Sequence, residues 1–168
     1  DRLAVAVGDV AGKGVPAALL MARLSAEVRF SLAAEPSLAI AVQNLNVALK
    51  RACGEDRFIT FVVIVIDLTT FRLTLVNAGH LPPLRRAADG SIDLLGDGSA
   101  GIPLGIFDQQ YEEVGVELRP GDTIILATDG VTEARNPDND LYGMERLRAT
   151  LASAPPDADS ASRAVLDD

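Results

Sequence analysis

Two apolar runs in this chain end on an aspartate followed by a turn. The first, Leu3-Ala4-Val5-Ala6-Val7-Gly8-Asp9-Val10, leads into Ala11-Gly12-Lys13-Gly14; the second, Ile124-Ile125-Leu126-Ala127-Thr128, leads into Asp129-Gly130. A buried strand rich in Val, Ile and Leu is rigid, so a carboxylate at its tip is held in place. Two such carboxylates, brought together by the fold, make half of a site for a hard divalent cation.

The segment from Gly8 to Ala17 admits three readings. As a P-loop it fails on spacing: Gly8-x-x-x-Gly12-Lys13 is one residue short, and Gly14 stands where a hydroxyl should meet magnesium. As a dinucleotide fingerprint, Gly12-x-Gly14-x-x-Ala17 follows a strand and opens a helix, but no second strand ends on an acid some 20 residues later. The third reading makes Asp9 the functional residue and the glycines its geometry. The chain then turns sharply, the Val10 carbonyl can face the same cation, and Lys13 with the following helix N-terminus attracts phosphate. Read alone, Asp9 caps a turn; the repeat at Asp129-Gly130 argues for a ligand.

Other chemistry is limited by what the sequence lacks. One histidine and one cysteine do not make a His/Cys zinc site, and no Gly-x-Ser-x-Gly elbow accompanies His80. Carboxylate and carbonyl donors suit Mg²⁺ or Mn²⁺. With two such ions a metal-bound water is the nucleophile, no catalytic side chain is needed, and phosphoester hydrolysis is the natural reaction. His80, in a Gly-His-x-Pro-Pro turn, reads as structural, and Asn77 as satisfying turn backbone. Arg135 and Asn136 lie just past Asp129, where they can touch substrate, although a solvated loop is the more ordinary reading. Cys53 reads as core.

These residues need elements to carry them. Leu3–Val10 reads as a buried strand, and Pro16 suits the first turn of a helix over 17–34. Glu35-Pro36 stops that helix, and a second runs from Ser37 to Cys53 with Ile40, Leu45 and Leu49 on one face. Phe58–Asp67 and Phe71–Ala78 form a hairpin, as do Leu84–Arg86 and Ile92–Leu95 around Asp89-Gly90. Gly96 to Gly105 is a loop. Tyr111–Leu118 and Thr123–Thr128 flank Arg119-Pro120-Gly121-Asp122 as a third hairpin. An irregular segment follows from Thr132 to Asn139. Gly143–Ser153 reads as a helix, and another starts near Ser160. Helices, a block of antiparallel strands, then helices give an α+β layered domain.

The chain of 168 residues is 48% hydrophobic and poor in aromatics, with a net charge of −9 from 24 acidic and 15 basic residues. That length holds one domain with an aliphatic core. No Lys/Arg run stands out, which argues against nucleic acid. The longest apolar run, Phe58 to Ile66, is too short for a membrane span. A lone cysteine fits a reducing compartment, so a cytoplasmic domain is expected. The chain opens on Asp1 almost inside a strand, so it reads as a fragment of a longer protein.

Several motifs then occur together in order: Gly8-Asp9-Val10-Ala11-Gly12-Lys13-Gly14-Val15-Pro16-Ala17-Ala18, Asn77-Ala78-Gly79-His80-Leu81-Pro82-Pro83, Pro103-Leu104-Gly105-Ile106, and Arg119-Pro120-Gly121-Asp122 through Thr128-Asp129-Gly130-Val131-Thr132-Glu133-Ala134-Arg135. On these the chain resembles the bacterial type 2C-like, metal-dependent serine/threonine phosphatases, within the subgroup of the sporulation stage II protein E and stress sigma-factor regulator phosphatases. The resemblance covers nearly all of the chain. It implies an αββα sandwich of two antiparallel sheets flanked by helices, a single phosphatase domain over 1–168, and two Mn²⁺ or Mg²⁺ ions. It implies Asp9, the Val10 carbonyl and Asp129 as metal ligands, while the placement of Lys13 and Arg135 toward substrate rests on their positions in the turn and the loop. It also implies a phosphorylated anti-anti-sigma-factor protein as substrate, an adjacent sensor domain as input and regulation through the first two helices; a homodimer is left open by the sequence.

Two departures bear on the metal. The family carries an earlier Gly-Gly-Asp strand ahead of the one that opens here. It also closes on an Asp-Asp pair before an apolar strand, whereas Asp167-Asp168 follows Arg163-Ala164-Val165-Leu166, which reads as helix. An incomplete metal site is expected, truncated at both ends, with ions weak or absent. The alternative is a binding or regulatory module of the same fold without turnover. A nucleotide-binding domain ranks third.

Overall fold

A computed structural model describes residues 1–54 and 57–168. The chain packs as two compact units, one from Asp1–His80 with Gly96–Glu117, the other from Leu81–Leu95 with Leu118–Asp168. The architecture is α+β with two antiparallel sheets.

The first unit is built on a sheet ordered β1-β2-β3-β6. Its strands are β1 (Arg2–Val10), β2 (Ile59–Asp67), β3 (Arg72–Ala78) and β6 (Val114–Glu117). The long Val/Ile/Leu runs pair over their full length, from Arg2 opposite Asp67 to Val10 opposite Ile59. The β2–β3 hairpin forms as the sequence indicates, its turn held by Asp67, whose carboxylate accepts from the Thr69 and Thr70 amides, both at 2.8 Å. Two helices, α1 (Val15–Ala34) and α2 (Leu38–Cys53), supply the aliphatic layer against the sheet. Leu20 and Leu24 of α1 pack with Val42, Leu45 and Leu49 of α2 and with Phe61, Val63 and Val76 of the strands. Cys53 is core, as anticipated. Val62, Ile64, Leu73 and Leu75 are buried too; alternation along the strand puts Val62 and Ile64 on the face opposite Phe61 and Val63.

One helix face differs from the sequence reading. Ile40 is exposed, whereas Leu38, Val42, Leu45 and Leu49 are buried. Their i, i+4, i+7, i+11 spacing makes the stripe, and Ile40 lies off it. Ser37 caps α2, accepting from the Ile40 amide at 3.3 Å. Its hydroxyl donates to Glu113 at 2.7 Å, and the Ala39 amide donates to the same carboxylate at 2.8 Å. These donors, the Ala39 amide foremost and then the Ser37 hydroxyl, hold the Glu113 carboxyl below its ordinary range. A group whose folded pKa is depressed stabilises the fold above its unfolded pKa, and that contribution disappears as pH falls through the folded value. The melting-temperature difference between wild type and Glu113→Gln should therefore be largest near neutral pH and shrink once pH drops below the glutamate range. A difference that stays constant down to pH 3 (roughly one unit below the free-glutamate value) would show that the cap does not depend on ionisation.

The second unit carries a sheet ordered β5-β4-β7, with β4 (Leu84–Arg86), β5 (Ile92–Leu94) and β7 (Thr123–Ile125). Its core joins Leu84 to Leu147 and Leu151 of α4 (Gly143–Ser153), to Ala154 just past that helix and to Ala161 of α5 (Ala158–Asp167). Buried Arg86 donates to the Ala154 carbonyl at 2.6 Å, placing a cation at the C-terminal end of α4, where the helix dipole favours it. Asp168, just past α5, accepts from Arg146, Thr150 and Tyr142 at 2.6 to 3.1 Å. The Asp167-Asp168 pair thus sits at a helix end, as the sequence indicates.

The third hairpin is a correction. The turn exists, with the Asp122 amide donating to the Arg119 carbonyl at 3.0 Å. Yet β6 pairs with β3 and β7 with β4, so the flanking strands belong to different sheets. Among the described residues no helix is long and apolar enough to cross a membrane.

Candidate functional site

In the first unit, β1 brings Asp9 and Val10 to its end. Val10 is buried and Asp9 partly exposed. The ladder places Asp9 opposite Thr60 and Val10 opposite Ile59, and the Ala11 amide donates to the Phe58 carbonyl at 2.9 Å, so the strand end is anchored to its last residue. The chain then reverses through Gly12 (φ +123°) and Gly14 (φ +79°), conformations that favour glycine. Gly14 is the N-cap of α1, Pro16 occupies the first turn, and no acidic residue or side-chain cap covers those amides. Lys13 is exposed on the same turn. One carboxylate, one carbonyl, one ammonium and an uncapped helix N-terminus thus share a corner that suits a cation beside a phosphate.

In the second unit Asp129 is less simply placed. The strand β7 stops at Ile125, three residues follow, and Asp129 opens a short helix, α3 (Asp129–Thr132), that the sequence did not reveal. Asp129 is exposed, and its carbonyl accepts from the Glu133 amide at 2.7 Å. It therefore stands at a strand-to-helix junction rather than at a strand tip. Arg135 is exposed and donates to the Asn139 carbonyl at 2.7 Å, closing a small loop with the Arg135–Leu141 bridge.

The donor set fits a hard divalent ion. Asp9 and the Val10 carbonyl offer oxygens only, and among the described residues no hydrogen bond or ion pair occupies the Asp9 carboxylate. Among the described residues no group of three or more His, Cys, Asp or Glu side chains gathers as a metal centre. Magnesium commonly takes one or two protein carboxylates and keeps several waters, so such a sparse set is compatible with it.

Behind Asp9 lies a buried polar arrangement. Thr60 Oγ1 and His80 Nδ1 share a hydrogen bond of 2.8 Å. Asn77 accepts from the His80 amide at 2.8 Å and donates to the His80 carbonyl at 2.9 Å. The structural readings of Asn77 and His80 are those the sequence suggested. Thr60 and the buried Asn46 were missed. Asn46 sits eight residues after Leu38, on the apolar stripe of α2, and a polar residue at a core position was the available signal.

The chain matches the model of the family described as Stage II sporulation protein E (SpoIIE) over residues 1–168. It is 30% identical over 142 residues to the phosphoserine phosphatase RsbU of Bacillus subtilis (strain 168), which covers 80% of this chain and 40% of that protein. The crystal structure of the RsbU and RsbW domains of Rv1364c from Mycobacterium tuberculosis is 29% identical, with a TM-score of 0.79 over 98% of this chain and 46% of that one. The fold is also that of the catalytic domain of the serine/threonine protein phosphatase PstP, solved with 2 manganese ions, at a TM-score of 0.70 and 18% identity over 97% of this chain and 79% of that one. The chain thus spans less than half the length of the curated relative RsbU.

Proposed function

Since the chain belongs to the SpoIIE family, we propose that it is a metal-dependent protein serine/threonine phosphatase domain over 1–168, acting on a phosphoserine or phosphothreonine in a bacterial partner switch. The observation that carries this reading is the β1–α1 corner, where Asp9 and the Val10 carbonyl meet Lys13 and an uncapped helix N-terminus. Asp9, Val10 and Asp129 are the proposed ligands of Mn²⁺ or Mg²⁺. When bound, such ions lower the pKa of water enough to make it a nucleophile near neutral pH and neutralise the phosphoryl oxygens. The chain's own share is positional. Asp9 and the Val10 carbonyl would hold the ion at a strand end kept in register by the ladder with β2. Lys13 and the α1 amides orient the phosphate by charge, and Arg135 steers the phosphorylated segment from its loop. The proposed substrate is a phosphorylated anti-anti-sigma-factor protein, with the input delivered by an adjacent sensor domain and the setting cytoplasmic. The support is the likeness to RsbU, a phosphoserine phosphatase, and to a chain that holds RsbU and RsbW domains.

The test is phosphate release from a phosphoserine protein by the full-length protein. Release should require Mn²⁺ or Mg²⁺ and fall by at least about a hundredfold with chelator, because the nucleophile depends on the ion. A second reading, a binding module without turnover, is favoured by the lack of a three-ligand group among the described residues. Retained binding of the phosphorylated protein with no release in Mn²⁺ would establish it.

A further inference from the structure

We propose that Asn46 is a positioning residue for the strand end that carries Asp9 and Val10; the inference rests on the phosphatase reading above. Asn46 lies fully buried on α2, among apolar neighbours where leucine would fill the same stripe. A buried amide is costly unless both its ends are hydrogen-bonded, and here both are. Its Nδ2 donates to the Phe107 carbonyl at 2.8 Å, and its Oδ1 accepts from the Gly105 amide at 2.8 Å. One side chain therefore grips the segment around Gly105 at two points.

That segment stands in for a strand. β3 pairs with β2 only from Val62 onward, so the first residues of β2 have an edge that β3 does not cover. Leu104 takes it: the Leu104 amide donates to the Ile59 carbonyl at 2.8 Å and the Ile59 amide to the Leu104 carbonyl at 2.9 Å. On its other side Ile59 is the register partner of Val10, and the neighbouring Phe58 carbonyl receives the Ala11 amide. The order is thus Asn46, then Gly105–Leu104, then Ile59–Phe58, then Val10–Ala11. Each link is a hydrogen-bonded or register contact, and the last sets the direction of the Val10 carbonyl. A helix side chain whose hydrogen bonds go to the Gly105 segment, not to Asp9 or Val10, holds the strand between them and itself.

The experiment uses the full-length protein and two variants, Asn46→Ala and Leu45→Ala. Leu45 is on the same helix, nearly as buried, and its truncation costs stability through a cavity alone. MnCl₂ binding is measured by calorimetry, and amide exchange is followed without metal. Asn46→Ala should weaken Mn²⁺ binding about tenfold, the lower end for groups standing behind a ligand. It should also speed exchange at Ala11 together with Gly105 and Leu104. Leu45→Ala should lower the melting temperature while leaving Mn²⁺ affinity within about twofold and Ala11 exchange unchanged relative to the rest of the sheet. Equal effects of the two variants on Mn²⁺ binding and on Ala11 would overturn the proposal. If Asn46→Ala does not fold, Asn46→Asp, which keeps an acceptor for Gly105 and deletes the donor to Phe107, is judged by the same outcomes. Wild-type protein that takes up no Mn²⁺ would sink the phosphatase reading, whereas exchange at Ala11 would still decide the coupling.

Discussion

Asp9→Asn or Asp129→Asn, introduced singly into the full-length protein, should cut Mn²⁺-dependent phosphate release at least about a hundredfold, the scale on which loss of one charge-stabilising group in a site is felt. The substitution keeps size and shape and removes one negative charge, so a ligand is weakened while the backbone stays. Neither fold nor core should suffer. Asp9 is partly exposed with no hydrogen bond on its carboxylate among the described residues, and Asp129 is exposed. Substitutions of that kind lie within about 0.5 kcal/mol of neutral, so an unchanged melting temperature in chelator is part of the expected result. The double variant adds a sharper reading. If both carboxylates serve one set of ions, removing the second costs little once the first is gone, because residues that act as a unit are not additive. Multiplying losses would mean two independent roles. Turnover within about threefold of wild type in either single variant, a change worth less than 1 kcal/mol of barrier, would remove that residue from the site.

The features that were legible in the sequence are those decided locally. Leu3–Val10 and Phe58–Asp67 are long aliphatic runs bounded by breakers, and both are strands, although the burial expected of Leu3–Val10 fails: β1 is the edge of its sheet, Leu3 and Val5 are exposed, and only Val10 at its end is buried. Glu35-Pro36 separates two helices because the residue before proline leaves the helical region. The Asn77–His80 turn was readable because an Asn side chain bonds its own near backbone, as it does here. The misreadings share another cause. Arg119–Asp122 is a true turn, but turn chemistry says nothing about which strands pair, and pairing is fixed by β3 and β4, each more than 30 residues away. Asp129 looked like a strand tip because Leu126 to Thr128 extends the apolar run, whereas the ladder with β4 ends at Ile125. Thr60 and Asn46 were invisible as partners. A polar residue on an apolar face announces that a partner must exist, and only the fold says that the partners are His80 and the Gly105 segment.

Gly79→Ala should cost about 2–5 kcal/mol of stability, summing a left-handed alanine at ~1–2 kcal/mol and overpacking at ~1–3 kcal/mol. Gly79 has φ +70°, and an added Cβ would lie 2.6 Å from Pro103 Cγ, 2.7 Å from Cδ and 3.0 Å from the Pro103 backbone nitrogen. A pyrrolidine ring cannot rotate away, so the neighbouring backbone has to move. That backbone runs directly into Leu104, which covers the first residues of β2, and Gly79 itself bridges to Phe61 of the same strand. Gly98→Ala is the control. Its φ of +80° imposes the same backbone strain, but nothing lies within 4 Å of the new Cβ. It should therefore lose only the conformational share, ~1–2 kcal/mol. Denaturant unfolding of the two variants separates strain from collision. A Gly79→Ala loss no larger than that of Gly98→Ala would mean that the Pro103 segment yields freely, and a segment that yields freely cannot hold the start of β2 rigid behind Asp9.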